Sequence, residues 1–182
     1  MRNAKLALFS VSVLLFSSNA FSQEESTGHT EASGGWVSVG LGSCYFGPTF
    51  QAGVSYTYNE NVFSVGYLKG DEFQFNVEGI HNEPALSFKE IGVMYGQAYR
   101  KQYVVLSLLG GVGFLNGINR GKQIAFHEFE QVNMTTLSIP LEAEVRIEVT
   151  NNIGIGSSFF GSLNAKKTFF GAIVKIFVGK FS

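Results

Sequence analysis

The stretch Ser138–Asn152, SIPLEAEVRIEVTNN, alternates apolar and polar residues almost without exception. One parity carries the apolar residues Ile139, Leu141, Ala143, Val145, Ile147 and Val149. The other parity carries Ser138, Pro140, Glu142, Glu144, Arg146 and Glu148. A period of two predicts a β-strand with one apolar face and one polar face. In a soluble sheet the apolar face packs into a core, whereas in a membrane barrel it faces lipid and the charges line the lumen, so the rest of the chain has to decide.

Seven further segments alternate with the same period and predict an all-β chain without a helix. They cover residues 36–42, 50–57, 63–68, 90–96, 103–112, 153–161 and 170–179. The connections after the second, fourth and sixth segments are short, whereas those after the third and fifth are long, at Gly70–Pro84 and Leu115–Asn133. Alternate connections of a meander lie at opposite ends of the sheet. Short turns at one end and long loops at the other are typical of bacterial outer-membrane barrels.

Energetics favour a lumen for the charged face. A basic side chain that faces lipid at the bilayer midplane costs about 2–4 kcal/mol, and an acid somewhat less. Many of the 22 glycines also fall on the polar parity, at positions 40, 42, 53, 66, 92, 96, 111 and 171. An eight-stranded barrel is only just wide enough for its inward side chains, so glycines there make room for large charged residues. We therefore predict an eight-stranded antiparallel up-and-down transmembrane β-barrel over residues 35–182.

A soluble, secreted, lipocalin-like barrel that binds a small apolar ligand is the alternative fold. Its interior would have to hold the whole Val, Ile, Leu and Phe parity, and its Gly-rich charged parity would face water. One narrow barrel offers little room for so many large apolar side chains. This fold is therefore the second choice.

The residues that precede the barrel predict export. Arg2 and Lys5 are followed by the apolar run Leu6–Phe16 and by small residues, which is the order of a secretory signal peptide over residues 1–22. Cleavage after Ala20 and cleavage after Ser22 both fit. Residues 23–34 are polar and acidic without periodicity, which predicts a flexible tail. Together with the barrel, the signal predicts a location in the bacterial outer membrane.

Composition narrows the range of partners. Without Arg2 and Lys5 the 13 basic residues fall to 11, against 14 acidic residues. A net negative chain without a basic patch is a poor partner for nucleic acid. The single cysteine, Cys44, allows no intramolecular disulfide. The expected partners are outer-membrane lipid and, during biogenesis, the barrel-assembly machinery.

Six charged residues are predicted to share the narrow lumen as a charge network. They are Glu90, Glu142, Glu144, Arg146, Glu148 and Lys175. Because unpaired buried charges are costly, we expect them to pair and to plug the barrel against ions. A path for protons or cations is the alternative reading. Pro140, which lacks an N–H in a strand with no free edge, predicts a bulge or a strand break.

The two long connections also alternate weakly, at Phe73, Phe75 and Val77 and at Ile124 and Phe126. Two interpretations stay open at this point. The strands continue above the bilayer as a protruding sheet whose edge is available to a partner, or these segments are ordinary loops with a few anchoring apolar residues. Either way, we expect an extracellular partner to bind at residues 70–84 and 115–133.

Motifs for catalysis, cofactors or metals are weak. His29, His81 and His127 lie in the tail and the two long connections without the sequence context of a lipid-modifying enzyme, which remains a third and less favoured function. In an extended strand the stretch HEFE, residues 127–130, would point alternate side chains to opposite sides. Its His and Glu side chains would therefore not converge on one metal ion. We predict no catalytic, cofactor or metal site and no enzymatic activity. Aromatic residues near strand ends are predicted to form the interfacial girdles of a membrane barrel: Trp36, Tyr45, Tyr56, Tyr67, Tyr95, Tyr99 and Tyr103.

Three stretches carry a resemblance to a known group of proteins: ALSFKEIGVMYGQAYRKQYVVLSLLGGVGF, LSIPLEAEVRIEV and NIGIGSSFFGSLNAKKTFFGAIVKIFVGKFS. With the IP that opens the charged strand and the closing F-G…G-K, residues 85–182 resemble the small outer-membrane β-barrel proteins common in Bacteroidota. The resemblance implies fold and compartment, and no activity. Such barrels usually end on an aromatic residue of lipid-facing parity, whereas Phe181 shares the parity of Lys175. A bulge near Gly179 or an atypical assembly signal would account for this departure.

Overall fold

The computed structural model describes residues 33–72, 85–125 and 128–181, and these form eight β-strands. In chain order the strands are β1 Ser33–Cys44, β2 Gly47–Tyr58, β3 Asn61–Asp71, β4 Ser87–Lys101, β5 Val104–Ala125, β6 Glu128–Glu148, β7 Ile153–Asn164 and β8 Phe169–Lys180. The described part of the chain contains no helix long and apolar enough to cross a membrane.

Each strand pairs antiparallel with the next along the chain, and β8 returns to pair with β1. The β1–β8 ladder runs in one register from Gly35 opposite Lys180 to Cys44 opposite Gly171. The sheet is therefore a closed up-and-down barrel of eight strands, as predicted. Closure gives each strand two hydrogen-bonded neighbours in the barrel wall, so the wall has no open sheet edge.

The burial pattern answers the question raised by the opening stretch. In the C-terminal half of β6 the side chains of Glu142, Glu144 and Arg146 are buried, whereas Ile139, Val145 and Ile147 are exposed on the outer surface. The remaining strands also place their apolar residues on the outer surface, as Val93, Val112 and Val174 show. An outward belt of β-branched and aromatic side chains suits lipid, and an inward charged face does not suit the core of a soluble barrel.

The two ends of the barrel differ in their connections. At one end, two-residue turns join β2 to β3 and β4 to β5, and residues 149–152 join β6 to β7. We call this the turn end. Asn59 and Gln102 have φ values of 55° and 54° in the two-residue turns, the left-handed conformation that tight hairpins require. Both chain ends of the barrel, at Ser33 and Lys180, lie at the turn end as well.

At the opposite end, β5 and β6 extend beyond their neighbours as a two-stranded ribbon, and we call this the ribbon end. β4 pairs with β5 only as far as Ile118, and β7 pairs with β6 only as far as Ser138. The ribbon therefore consists of residues 119–125 and 128–137, with two register irregularities between Arg120 and Ala125. Residues 115–133 are strand rather than loop over their described part, which decides between the two interpretations for this connection. Residues 73–84 of the other long connection lie outside the described residues.

Three local expectations need correction or refinement. No register shift accompanies Pro140: Gly110 pairs with Leu141 and Gly113 with Ser138 in the same register, and only the two intervening rows are missing from the β5–β6 ladder. The predicted bulge is therefore wrong, whereas the β5–β6 ladder is interrupted for two rows at Pro140, where the N–H is absent. The register near Gly179 is also continuous, which rules out the proposed bulge there.

The start of β1 differs slightly from the predicted boundary of the barrel. Ser33 and Gly34, the last residues of the predicted tail, pair with Tyr58 and Thr57. The strand therefore begins two residues before the predicted boundary at residue 35. The predicted signal peptide, residues 1–22, and the tail up to residue 32 lie outside the described residues.

Candidate functional site

The lumen is the candidate site, and its ribbon end is filled by a cluster of apolar side chains. This ribbon-end cluster consists of Cys44, Leu68, Phe88, Leu115, Met134, Phe160, Phe169 and Ile173, with Phe46 packed against it. The Phe88 and Phe169 rings lie 4.1 Å apart between centroids, and the Phe46 ring stands edge-on to Phe88 at 5.3 Å. Phe46 comes from the β1–β2 turn, so this turn folds over the mouth of the barrel.

A second apolar cluster lies at the turn end of the lumen. It consists of Trp36, Val62, Met94, Leu109 and Phe177, with Ala98 and Phe181 packed against it. Trp36 is 4% exposed and points into the lumen, so its predicted place in an interfacial girdle is wrong. Its parity with Ser38 and Gly40 carried the correct signal. The predicted girdle tyrosines Tyr45, Tyr56, Tyr95, Tyr99 and Tyr103 are exposed, and Tyr67 is half-buried.

Between the two clusters lies a group of charges centred on Lys175. The Lys175 ammonium forms ion pairs with Glu142 and with Glu144, the latter at 3.2 Å. Gln51 donates its amide N–H to the second oxygen of Glu142 at 2.9 Å. All four side chains are at most 7% exposed. We call Lys175, Glu142, Glu144 and Gln51 the ionic belt, because they cross the lumen from β2 to β6 and β8.

Arg146 is buried differently. Its guanidinium carbon lies 4.0 Å from the centroid of the Trp36 ring and 4.7 Å from that of Phe181. Its nearest acid, Glu148, is 3.6 Å away and is bound more closely by Arg100 at 2.8 Å. Among the described residues, the Arg146 Nε and Nη1 atoms have no hydrogen-bond partner. Arg146 is therefore stabilised chiefly by aromatic faces, and the inward Phe181 takes part in this contact.

Glu90 stands apart from these ion pairs. One of its carboxylate oxygens accepts hydrogen bonds from the hydroxyls of Ser138 and Ser162, the latter at 2.8 Å. Within the described chain no lysine or arginine lies within ion-pair distance of Glu90. The structure thus brings together five of the six predicted network residues, in two neighbouring groups, and holds Glu90 with serines instead. No local pattern in the sequence indicates Gln51, Ser138 or Ser162 as partners, because their contacts join residues 48 to 91 positions apart.

Glycines supply the space for the large side chains, as the sequence analysis expected. Gly156 lies opposite Arg146 on one side and opposite Lys175 on the other. A Cβ atom at Gly156 would lie 2.0 Å from the carbonyl oxygen of Val145. At Gly40, the other neighbour of Lys175, it would lie 2.5 Å from Ile173 and 2.8 Å from the Lys175 side chain. Neither position has room for a larger residue without movement of the backbone or of Lys175.

Lys167, in the β7–β8 connection, lies over the mouth at the ribbon end. Its ammonium is 5.1 Å from the Phe46 ring centroid and 5.8 Å from that of Tyr45. Partial burial lowers the pKa of Lys167, although Glu72 acts in the opposite direction. Burial also raises the pKa of Tyr45. The mouth is thus covered by a cation on aromatic faces rather than by an open funnel of charges.

The remaining sequence candidates for chemistry lie outside the described residues. These are His29, His81 and His127. Within the described ranges, no group of three or more His, Cys, Asp or Glu side chains is arranged to hold a metal ion. Cys44 is buried in the ribbon-end cluster as a free thiol.

The best-formed cavity among the described residues measures about 30 Å³ and lies in the lumen beside the ionic belt. It is lined by residues that include Gln51, Gly66, Glu90, Gly92 and Glu142. Sites for small organic ligands usually enclose about 300–1,000 Å³. The lipocalin-like alternative therefore lacks both the outward polar face and the ligand cavity that it requires.

Solved structures with the same fold come from bacterial outer-membrane barrels. The chain is similar to the N-terminal β-barrel domain of OprF from Pseudomonas aeruginosa, with 10% identity, a TM-score of 0.57, and coverage of 80% of this chain and 96% of that one. It is similar to Ail, the attachment invasion locus protein of Yersinia pestis, with 15% identity, a TM-score of 0.55, and coverage of 84% and 100%. Neisserial surface protein A has 12% identity, a TM-score of 0.54, and coverage of 83% and 96%.

No protein-family model and no curated protein matches the chain. At identities this low, the structural likeness concerns the fold. The predicted eight-stranded barrel is confirmed, and the predicted outer-membrane location agrees with these neighbours.

Proposed function

We propose that the protein is a closed, non-enzymatic outer-membrane barrel that presents its β5–β6 ribbon to a protein partner outside the cell. The observation that carries this proposal is the asymmetry of the barrel. Its turn end has short connections, and at its ribbon end β5 and β6 continue beyond the paired parts of β4 and β7. In bacterial outer-membrane barrels the short turns face the periplasm and the longer connections face outward. The proposal also includes that the protein belongs with the small outer-membrane barrels common in Bacteroidota, which residues 85–182 resemble.

The contents of the lumen support a barrel that does not conduct. Two apolar clusters lie on either side of an ionic belt whose charges are largely paired. A hydrated ion would have to displace Phe88 and Phe169 at one end and Trp36 and Phe177 at the other. Buried ion pairs and stacked rings make these groups costly to separate. The predicted plug thus consists of three layers rather than of charges alone.

The free edge of β6 supports a role in binding. Residues 128–137 pair with β5 on one side, and on the other side they have no strand partner in the described chain. Val132 and Leu137 are exposed along this edge. At the base of the ribbon, Arg120 is tied to Glu72 by an ion pair of 2.8 Å, which anchors β5 to the end of β3. An anchored ribbon with one free edge suits the addition of a strand from a partner.

The first experiment tests the membrane barrel and its closure in one preparation. Cells are fractionated, and the protein is run on a gel with and without boiling. The purified protein is then reconstituted into planar bilayers. We expect recovery in the outer membrane, a heat-dependent mobility shift and no unitary conductance. Recovery in the soluble fraction would refute the membrane barrel, and a steady conductance from heat-modifiable protein would refute the closed lumen.

A second experiment tests the ribbon. Residues 121–130 are replaced by Asn-Gly, a two-residue turn that joins Arg120 to Gln131, which already pair across the ribbon. We expect the barrel to stay heat-modifiable while attachment of expressing cells to host surfaces or to one another is lost. Lys166→Ala, an exposed change at the same end, is the matched control and should leave attachment unchanged. Equal attachment by the shortened variant and the control would contradict the binding role of the ribbon.

A further inference from the structure

The buried charges of the lumen do not balance. Among the described residues, the buried charged side chains are the carboxylates Glu90, Glu142 and Glu144 and the cations Arg146 and Lys175. Three carboxylates against two cations leave one negative charge in a low-dielectric interior. Glu148 does not change this difference, because it lies nearer the mouth and pairs with Arg100. An isolated buried charge is costly unless a counter-charge accompanies it, so the lumen requires one more positive charge.

The unbalanced charge is most directly assigned to Glu90. Lys175 already bridges Glu142 and Glu144. Glu90 receives only the two serine hydroxyls, which both donate to a single oxygen. Hydroxyl donors at a carboxylate oxygen favour its ionised form. Neither hydroxyl binds the other oxygen, and Glu90 lines the cavity.

Another residue that lines the same cavity, Gln51, has an unpartnered oxygen. Gln51 is 93% buried, and its Oε1 has no hydrogen-bond partner among the described residues. The amide cannot be turned around, because its N–H must point to Glu142 at 2.9 Å. Gln51 and Glu90 both lie opposite Leu68, on the two strands that flank it, and both line the cavity. A buried carbonyl oxygen without a donor is the group that a cation satisfies.

We propose that the cavity holds one small monovalent cation of the size of Na⁺, bound by the Glu90 carboxylate and the Gln51 carbonyl oxygen. The cavity of about 30 Å³ suits an ion with one water at most, since a single water occupies about 10–15 Å³ on this measure. All the donors are hard oxygens, which suit alkali and alkaline-earth ions rather than soft metals. A single missing positive charge selects a monovalent ion.

The apolar clusters at both ends of the lumen imply slow exchange of this cation. The ion enters while the barrel folds and is retained afterwards. The direct experiment therefore refolds the full chain from urea into a non-ionic detergent with radioactive ²²Na⁺, followed by rapid desalting into N-methylglucamine chloride. We expect close to one retained ion per heat-modifiable barrel.

Variants locate the ion. Glu90→Gln keeps the size of the side chain and removes its charge, so it should abolish retention and yet still fold, because it also removes the unbalanced charge. Gln51→Met should release the ion at least tenfold faster. Glu60→Gln, at an exposed glutamate in the β2–β3 turn, is the matched control and should retain the ion like the unmodified protein.

Three outcomes would overturn the proposal. Absence of retained ²²Na⁺ from folded barrels would do so, as would retention that Glu90→Gln leaves unchanged. A protonated-carboxyl infrared band in the unmodified protein that Glu90→Gln removes would show that a proton supplies the missing charge instead. A supporting result requires retention of the ion, its loss in Glu90→Gln, and no such band.

Discussion

Lys175 and Arg146 are two buried cations in the same row of the sheet, one on either side of a single residue of β7. Their surroundings have little in common. Gly156 lies between them in the sheet, opposite Arg146 on β6 and Lys175 on β8. From this shared level, Lys175 extends toward the ribbon end and binds Glu142 and Glu144. Arg146 extends toward the turn end and lies on the rings of Trp36 and Phe181.

The difference shows that the lumen stabilises positive charge in two ways. An ammonium is compact and strongly hydrated, so its burial requires anions at short distance. A guanidinium is planar and more weakly hydrated, so aromatic faces replace part of its solvent. One barrel therefore contains an ionic layer and an aromatic layer. Substitutions in each layer separate their contributions to the free energy of unfolding.

The largest effect is expected for Lys175→Met. It leaves Glu142 and Glu144 buried without their cation, and loss of one partner of a buried pair costs about 3–5 kcal/mol. The free energy of unfolding, measured by urea titration of heat-modifiable protein in detergent, should fall by this amount. Adding Glu142→Gln and Glu144→Gln should restore most of the loss. Lys166→Met, at an exposed lysine, is the control, and equal stability of the two Met variants would refute the ionic layer.

Gly156→Ala is expected to disturb both cations at once. The added methyl would meet the Val145 carbonyl oxygen at 2.0 Å, and overpacking of this kind costs about 1–3 kcal/mol. Gly66→Ala is the matched inward control, because the nearest atom there is Met94 Cε at 3.5 Å, an ordinary contact distance. The same urea titration compares the two variants. A loss at Gly66 as large as that at Gly156 would argue against the close approach of β6 and β7.

Arg146→Met should cost less than Lys175→Met, because Glu148 keeps Arg100 as its partner. A desolvated cation–π contact is worth about 2 kcal/mol. In a double-mutant cycle with Trp36→Leu, the two substitutions should show a coupling energy of about this size. Additive losses would show that the guanidinium gains little from the ring, and an unchanged stability of Arg146→Met would count against the layered plug.

The smallest effect is expected for Arg100→Gln at the turn end. The Arg100 side chain is 38% exposed, and ion pairs of this kind are worth about 0–1 kcal/mol. The loss should shrink further at high salt, because exposed charges are screened. Unfolding titrations at low and high salt measure both quantities. A large, salt-independent loss would mean that the Arg100–Glu148 pair belongs to the buried network.

Parity made the fold predictable, because a strand in a closed barrel has only two faces and the cost of charge in lipid selects between them. Parity predicts a lumen position for Glu142, Glu144, Arg146 and Lys175, and all four side chains are buried. Parity carries no information on the direction in which a side chain leans along the barrel, so it did not separate Arg146 from the carboxylates. The inward parity of Trp36 was readable, but proximity to a strand end suggested a girdle instead.

Other features depend on contacts between distant parts of the chain. Glu90 receives its hydrogen bonds from Ser138 and Ser162, 48 and 72 positions away, and no local pattern indicates such partners. The ribbon is a similar case. Residues 115–133 alternate weakly whether they form strands or loops, and only the pairing of β5 with β6 decides between the two. Pro140 suggested a bulge, whereas a two-row gap in one ladder accommodates its missing donor without a register shift.

Closure of the ring between β1 and β8 has a consequence for the order of events during folding. The two strands that complete the barrel lie at opposite ends of the described chain, with Gly35 opposite Lys180. Pairings between such distant segments form late, because the loop between them must close first. Until β8 pairs with β1, the sheet is open and β1 has an unpaired edge. An open sheet with an exposed apolar face is prone to aggregation. The nascent barrel must therefore be protected for as long as its final strand is missing.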